Sequence, residues 1–410
     1  MTLSQLDSNS PSLIAQTLLI IGCVLGLSVS ISTIYIATFS LFLPLLQAEF
    51  QWSRGAISTG FALAILVLTL VSPSIGRLIG QQSTKKVLIL AIVVFSPTIF
   101  FLSLVPDNWG VFLFVSVLVG LAGAGSNTFV YISILPQWFD KRLGMALGLS
   151  MTGIGFGQAI MPIFTQHLIE IVGWRSAYMA LSVLPLLIAL PSVLFLIKER
   201  RRPSKTILDT TGLKILFQLH PAVKTRYFLN LSICFFLVAA VAGGCSVHAV
   251  SILLERGFSP AKAAEIIAFG GVSVLFGRVI TGFLLDYVGS FLIGCMILIS
   301  AACGALAYTS YAPTSIVYLA PVLLGIAMGA EGDLMPYITK QKYTEESFAP
   351  VYGLLFTAFN IGVMFGPIAL GIFFDFWSTY DGILITFASL CVFLGVPVLM
   401  WVVRSSPGQK

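Results

Sequence analysis

The sequence predicts an all-α membrane protein, with twelve transmembrane helices arranged as two pseudo-symmetric six-helix bundles. Three observations predict it. The chain of 410 residues is 58% hydrophobic and only 9% charged. Apolar runs long enough to cross a bilayer recur along it. Landmarks of the first half return in the second at a nearly constant offset.

The charge deficit comes first. A soluble domain carries about 25% charged residues, so this chain cannot cover a water-facing surface, and the solvent around most of it is lipid. The net charge of +6 does not point to nucleic acid. The cations sit in short connections between apolar runs, as topology signals do, and form no basic face. Six cysteines (Cys23, Cys234, Cys245, Cys295, Cys303 and Cys391) lie in apolar stretches without CxxC pairs. They read as small buried hydrophobes. With three dispersed histidines, neither a metal site nor a cofactor is expected.

A helical span needs about 20 mostly apolar residues. Such runs occupy 16–42, 54–78, 86–104, 110–134, 144–170, 176–197, 227–252, 262–284, 291–310, 315–338, 350–372 and 382–403. All connections are short except 198–226, which holds eight Lys and Arg residues between Lys198 and Arg226. It divides an N-terminal bundle, 1–197, from a C-terminal bundle, 227–410. With the N-terminus inside, the inner connections hold most cations and the outer ones only Arg54, Arg175, Arg256 and Lys262. Both termini are therefore expected in the cytoplasm, and the protein in an inner or plasma membrane.

The repeat is explicit. Glu49 matches Glu255, Ser53 matches Ser259 and Gly76 matches Gly282 at one offset. One residue less aligns Gly120 with Gly325, Gly157 with Gly362 and Pro162 with Pro367. Parallel six-span halves imply two bundles rocking about a midplane site.

These features resemble the major facilitator superfamily. The loop after its second span has the form G-x-x-x-D-R-x-G. The second copy here, GFLLDYVG, keeps Gly282, Asp286 and Gly289, whereas the first keeps only Gly76. Within the superfamily, FLPLLQAEFQWSRGAIS, QWFDKRLGMALGLSMTGIGFGQAIMP and HAVSILLERGFSPAKAAEIIAFGGVSVLFGRVITGFLLDYVG resemble the branch of monocarboxylate transporters and oxalate:formate antiporters. The resemblance implies transport of small organic anions, with a proton or by exchange. It also implies that Arg278, in FGRVITG, binds substrate carboxylate. The chain departs from that branch at Val274, where monocarboxylate transporters carry an acid. It has no lysine in 16–42 and no cation in 350–372. The missing second cation argues against a small dianion.

The residues lead to Arg278 independently. It is the basic residue that stands inside a span away from its ends. A membrane-centre arginine costs at least ~2.5 kcal/mol and normally faces a cavity and a partner. Its planar fork matches a carboxylate and keeps its charge. The plainer alternative is a clamp that only joins helices. In the tenth span, GAEGDLMPY places Glu331 and Asp333 at a similar depth. Acids two apart on a helix diverge by about 200°, so at most one faces Arg278, and Glu331 is favoured. Either would carry a coupling proton or act as a gate. His248 ends the seventh span as a third proton-handling or gating candidate, or as an interfacial residue. In this superfamily the first, fourth, seventh and tenth spans line the cavity. Tyr35, Thr38, Asn127 and Tyr131 are then candidate substrate contacts, joined by Gln158 and Asn360 from the fifth and eleventh spans. Each could equally be interhelical glue.

The function expected is a monomeric secondary transporter that moves a small monocarboxylate-like organic anion by alternating access, with proton symport. An exchanger, or an efflux carrier for another metabolite or drug, is the alternative within transport. An enzyme is not expected: no nucleophile–base pair stands out.

Overall fold

A computed structural model describes residues 13–139, 143–200, 225–285, 287–343 and 345–404. It is helical throughout, with no strand among the described residues. Its membrane-length segments are α1 (Leu13–Phe50), α2 (Arg54–Ile79), α3 (Thr84–Ser103), α4 (Trp109–Gln137), a segment Leu143–Leu196, α7 (Arg226–Glu255), α8 (Pro260–Leu284), α9 (Ser290–Tyr308), α10 (Leu319–Lys342), α11 (Val351–Trp377) and α12 (Asp381–Trp401). The Leu143–Leu196 segment has 54 residues, about 80 Å of helix at 1.5 Å per residue. That is far more than one bilayer needs. It breaks at Gly173, whose φ of 79° and ψ of 164° suit a residue without a Cβ. The break makes it two crossings, α5 before Gly173 and α6 after it, and twelve crossings result.

Local chemistry sets the helix ends. Ser53 and Ser259, matched in the repeat, cap α2 and α8 by accepting from the backbone N–H of Ala56 and Lys262, at 3.2 and 3.3 Å. A capping hydroxyl satisfies one of the donors that a helix start leaves unpaired. Several helices are interrupted within the membrane, two of them the first half's cavity-side candidates α1 and α4. In α1, a wider π turn spans Ser32–Ile36. In α4, the helix stops after Gly125 and restarts at Thr128, capped by Asn127 Oδ1 at 2.7 Å.

Packing repeats as the sequence does. α1 lies on α5 and α2 on α4, while α7 lies on α11 and α8 on α10. One apolar cluster is built on α1–α6 and a second on α7–α12. Without a hydrophobic drive between helices in lipid, small residues let backbones close up. A Cβ on Gly157 would strike Thr33 and the Ser28 carbonyl of α1. A Cβ on its repeat partner Gly362 would strike the Phe236 carbonyl of α7.

Between the clusters, α2 meets α11 and α5 meets α8. The contact is uneven along these helices. At one end Gly371 lies against the backbone of Gly55, and further along Gly271 lies against that of Gln158. At the other end, a Cβ on Gly76, Gly148, Gly282 or Gly353 would meet nothing within 4 Å among the described residues. These four mark the end of the molecule that carries Lys85, Lys86 and Lys340. Among the described residues the helices therefore part toward this basic end and close at the opposite one.

This difference is testable with two substitutions on α11. Gly362→Val forces α11 from α7 and is expected to cost about 1–3 kcal/mol. It should lower the melting temperature of detergent-purified protein. Gly353→Val, at an open position, should leave that temperature within error of the parent.

Candidate functional site

Two polar constellations lie along the path between the clusters, one at each end.

The first is on the open side. Arg278 of α8 and Asp333 of α10 face each other, with 3.9 Å between Nη1 and Oδ1. The guanidinium also meets the Met151 sulfur of α5, at 3.5 Å. Two α10 glycines make room for it. Gly329 lets the α8 backbone approach at Val274, and a Cβ on Gly332 would come within 3.1 Å of Arg278 Nη2. The side chains of Arg278 and Asp333 are 29% and 33% exposed. Tyr352 of α11 lies within electrostatic reach of both. A guanidinium has five N–H donors, and a 3.9 Å pair and a thioether use few of them. The arrangement offers a planar cationic fork to an anion entering from the open end.

The acid that answers Arg278 is therefore Asp333, where the sequence favoured Glu331. The divergence expected for residues two apart holds, but the helix is rotated the other way. Glu331 is turned away from Arg278 into the second cluster, where it is fully buried. Neither of its carboxyl oxygens has a hydrogen-bond partner among the described residues.

The other sequence candidates are dispersed. Tyr35 is buried against Phe39 and Phe61, at centroid distances of 5.5 and 6.0 Å. Thr38 donates to its own helix at Ile34, at 2.6 Å. Asn127 is the α4 cap already described, and Tyr131 is sealed against Gly26. Gln158 is half-buried where α5 meets α8, and buried Asn360 donates to Phe356 of its own helix at 3.0 Å. No hydrogen bond joins any of the six to Arg278 among the described residues. Gly289 begins α9 as its cap residue, and Asp286 lies outside the described residues. No three His, Cys, Asp or Glu converge into a metal-sized group among the described residues.

The second constellation closes the opposite end. Arg54, the first residue of α2, donates through Nη1 to Glu255 of α7 at 2.6 Å and to the Tyr380 hydroxyl at 2.7 Å. Its Nε donates to Gln47 at 2.9 Å, and its guanidinium lies 3.6 Å from the Phe374 ring centroid. Asp375 of α11 accepts from the backbone N–H groups of Arg54 and Gly55, both at 2.9 Å. A carboxylate of one cluster thus caps a helix of the other, where the helix dipole favours negative charge. Behind it, His248 is fully buried. Its Nε2 is 3.0 Å from Ser58 Oγ and 2.9 Å from the Pro367 carbonyl, and its Nδ1 is 2.9 Å from the Tyr380 hydroxyl. His248 is therefore an element of the junction between clusters and not an interfacial residue.

In the sequence alone, Arg54 reads only as a topology signal. The repeat holds the missing clue. In the first half Glu49 pairs with Arg175 at 2.7 Å. At the offset that aligns Pro162 with Pro367, Arg175 falls on Tyr380, so the second half has no arginine at that place to take Glu255. Arg54, whose counterpart is Pro260, supplies that charge from across the junction.

Comparisons with known proteins agree with this architecture. A profile of the Major Facilitator Superfamily matches residues 18–343. Monocarboxylate transporter 13 of Rattus norvegicus is 26% identical over 298 residues, 72% of this chain and 67% of that protein. An uncharacterized MFS-type transporter of Bacillus subtilis, YcxA, is 22% identical over 387 residues, 91% of each chain. Among solved structures, the nucleoside transporter NupG superposes with a TM-score of 0.77 at 12% identity, over 96% of this chain and 100% of its own. A bacterial homologue of the human lysosomal transporter Spinster, inward-facing and unoccupied, gives a TM-score of 0.72 at 17% identity, over 97% and 100%. The twelve-crossing architecture, the repeat and the matched profile together establish that this chain belongs to the major facilitator superfamily: it is a multi-pass membrane transporter of small solutes, and not an enzyme.

Proposed function

We propose that the protein carries a small monocarboxylate-like organic anion together with a proton, by alternating access between two rocking six-helix halves joined by 198–226. The observation that carries this reading is Arg278. It is a permanent cation inside the membrane, partly open to one end and loosely held by protein. A carboxylate would take the guanidinium bidentately and displace Asp333, which stands 3.9 Å away. Released from its cation in a low-dielectric site, Asp333 would take a proton, because a buried carboxylate without a partner is costly. One anion and one proton then travel as a neutral pair. Glu331 has no hydrogen-bond partner for either oxygen among the described residues, and Arg278 pairs with Asp333 instead, so Glu331 is assigned a supporting place in the core. The relatives named monocarboxylate transporter support the substrate class. The distribution of cations supports a plasma-membrane protein with both termini cytoplasmic, so that the parted basic end faces inward; the working unit is taken as the monomer.

Two experiments in proteoliposomes test this reading. Labelled short-chain monocarboxylates should accumulate under an inward proton gradient. Charge-assisted hydrogen bonds are worth about 1.5–3 kcal/mol, so Arg278→Ala should cut uptake roughly ten- to hundredfold. Arg278→Lys should recover part of it, as a point charge lacking the fork. Normal uptake by Arg278→Ala, or no uptake of any acid by the parent, would sink the proposal. The latter outcome turns attention to exchange or efflux, for which a relative named an agnestins efflux protein, from Paecilomyces divaricatus and 24% identical, offers a precedent.

The two acids can also be separated. Asp333→Asn should abolish stimulation by the proton gradient while preserving exchange of labelled for unlabelled acid. Glu331→Gln should retain gradient-driven uptake. The opposite pattern would move the coupling proton to Glu331.

A further inference from the structure

We propose that the ring of Arg54, Tyr380, His248 and Ser58 is a proton-operated latch, shut while His248 is neutral and released when His248 takes a proton from the less basic side. The inference rests on the transport reading above and locates one step of it at the closed end, apart from Arg278.

The hydrogen-bond directions carry the argument. Ser58 donates its hydroxyl proton to the Arg54 carbonyl at 2.7 Å, so toward His248 it can only accept. The Pro367 carbonyl, 2.9 Å from the same Nε2, is also an acceptor. Nε2 therefore bears the hydrogen. In the neutral ring Nδ1 is then bare, and it accepts from the Tyr380 hydroxyl at 2.9 Å. The Tyr380 oxygen in turn accepts from Arg54 Nη1 at 2.7 Å. The circuit closes on Arg54, with every link between helices running from one half to the other or to the turn that starts α12.

A second proton on His248 breaks this circuit at one atom. Nδ1–H would face the Tyr380 oxygen, which already receives Arg54. The hydroxyl proton would have to leave Nδ1 and turn toward Ser251 Oγ of α7, and a second cation would stand behind the guanidinium. No uncommitted acid faces His248 to offset that charge among the described residues. Glu255 of α7 is engaged by Arg54, and Asp375 of α11 holds the backbone amides of Arg54 and Gly55. Asp381 of α12 is engaged by Ser310. On α8, Lys262 and Glu265 close on each other at 2.7 Å. Arg256 reaches back to carbonyls at the end of α9. α1 brings Leu41 and Gln47, neither ionisable. His248 is also fully buried, so a proton reaches it only when the ends part. Acid then holds the parted state, by selecting the conformation that accommodates the imidazolium.

The test uses the full chain in lipid nanodiscs without substrate, so that its outcome is independent of uptake. Spin labels are placed at the exposed loop residues Pro106 and Tyr311, with the exposed Cys303 replaced by serine. Their distance distribution is read by double electron–electron resonance from pH 8 to pH 5. The parent should gain a longer-distance population, rising at least fivefold. In His248→Gln, whose amide reproduces the neutral donor and acceptor without taking charge, the distribution should stay closed and independent of pH. Should that variant not fold, Tyr380→Phe, which removes the donor to Nδ1, should raise the open population already at pH 8. A parent without a pH response, an unchanged response in His248→Gln, or a closed Tyr380→Phe at pH 8 would each overturn the latch. None of these results bears on whether Arg278 binds an anion, which the uptake assay decides alone.

Discussion

Arg54 begins a helix of one half, and nearly everything that answers its charge belongs to the other. Glu255, Tyr380, the Phe374 ring and, through its backbone, Asp375 all reach it from α7, α11 and the start of α12. In lipid the apolar surfaces of two bundles gain nothing from meeting each other. Polar pairing and close backbone approach therefore decide where they touch. Both occur together here, since Gly371 lies on Gly55 directly beside the Asp375 cap. The side chain of Arg54 is 12% exposed, so its pairing is screened less than that of a surface ion pair.

The cluster exists because the repeat is broken at a few positions. Each half keeps a glutamate at the end of its first helix and a capping serine one helical turn further along the chain, as Glu49 and Ser53 or Glu255 and Ser259. In the first half Arg175 takes the glutamate and also donates to the carbonyls of Ser103 and Val105 at 2.9 and 3.1 Å. In the second half these duties are split. Arg256 takes the carbonyls of α9, and Asp381 binds Ser310. Glu255 is left for Arg54. A symmetric pair of intra-half bridges has become one bridge within a half and one between halves.

How much of this was legible depends on the kind of constraint. The twelve crossings were legible, because the cost of exposing backbone or charge to lipid acts on every residue of a span. Boundaries moved where a helix continues past its apolar run, as α1 does to Phe50. The depth of Arg278 and of the two acids could also be read. Their azimuth could not, since rotation of α10 is set by Gly329 and Gly332 packing on α8, and this turned Asp333 rather than Glu331 toward the arginine. Tyr35, Thr38 and Asn360 show the same limit. Their polarity was visible, but not that each would be buried or spent on its own helix. Arg54 was hidden for another reason. A cation at a span end serves topology equally well, and only the unmatched Glu255 of the repeat distinguishes it.

The two constellations cannot be independent, because the same helices carry both. α11 presents Asp375 at the closed end and Tyr352, in reach of Arg278, toward the open one. At 27 residues it spans about 40 Å, and α2 beside it is continuous as well. In a rocking motion such helices move as levers between the two ends. Bringing Gly76 toward Gly353 at the basic end must lever Gly55 away from Gly371 and draw the Arg54 and Gly55 amides off Asp375. The ion pair that holds one end shut is thus what keeps Arg278 reachable from the other. On the proposed reading, an anion that pulls the basic end closed over Arg278 has to supply, in its contacts with both halves, the free energy that the Arg54 cluster gives up.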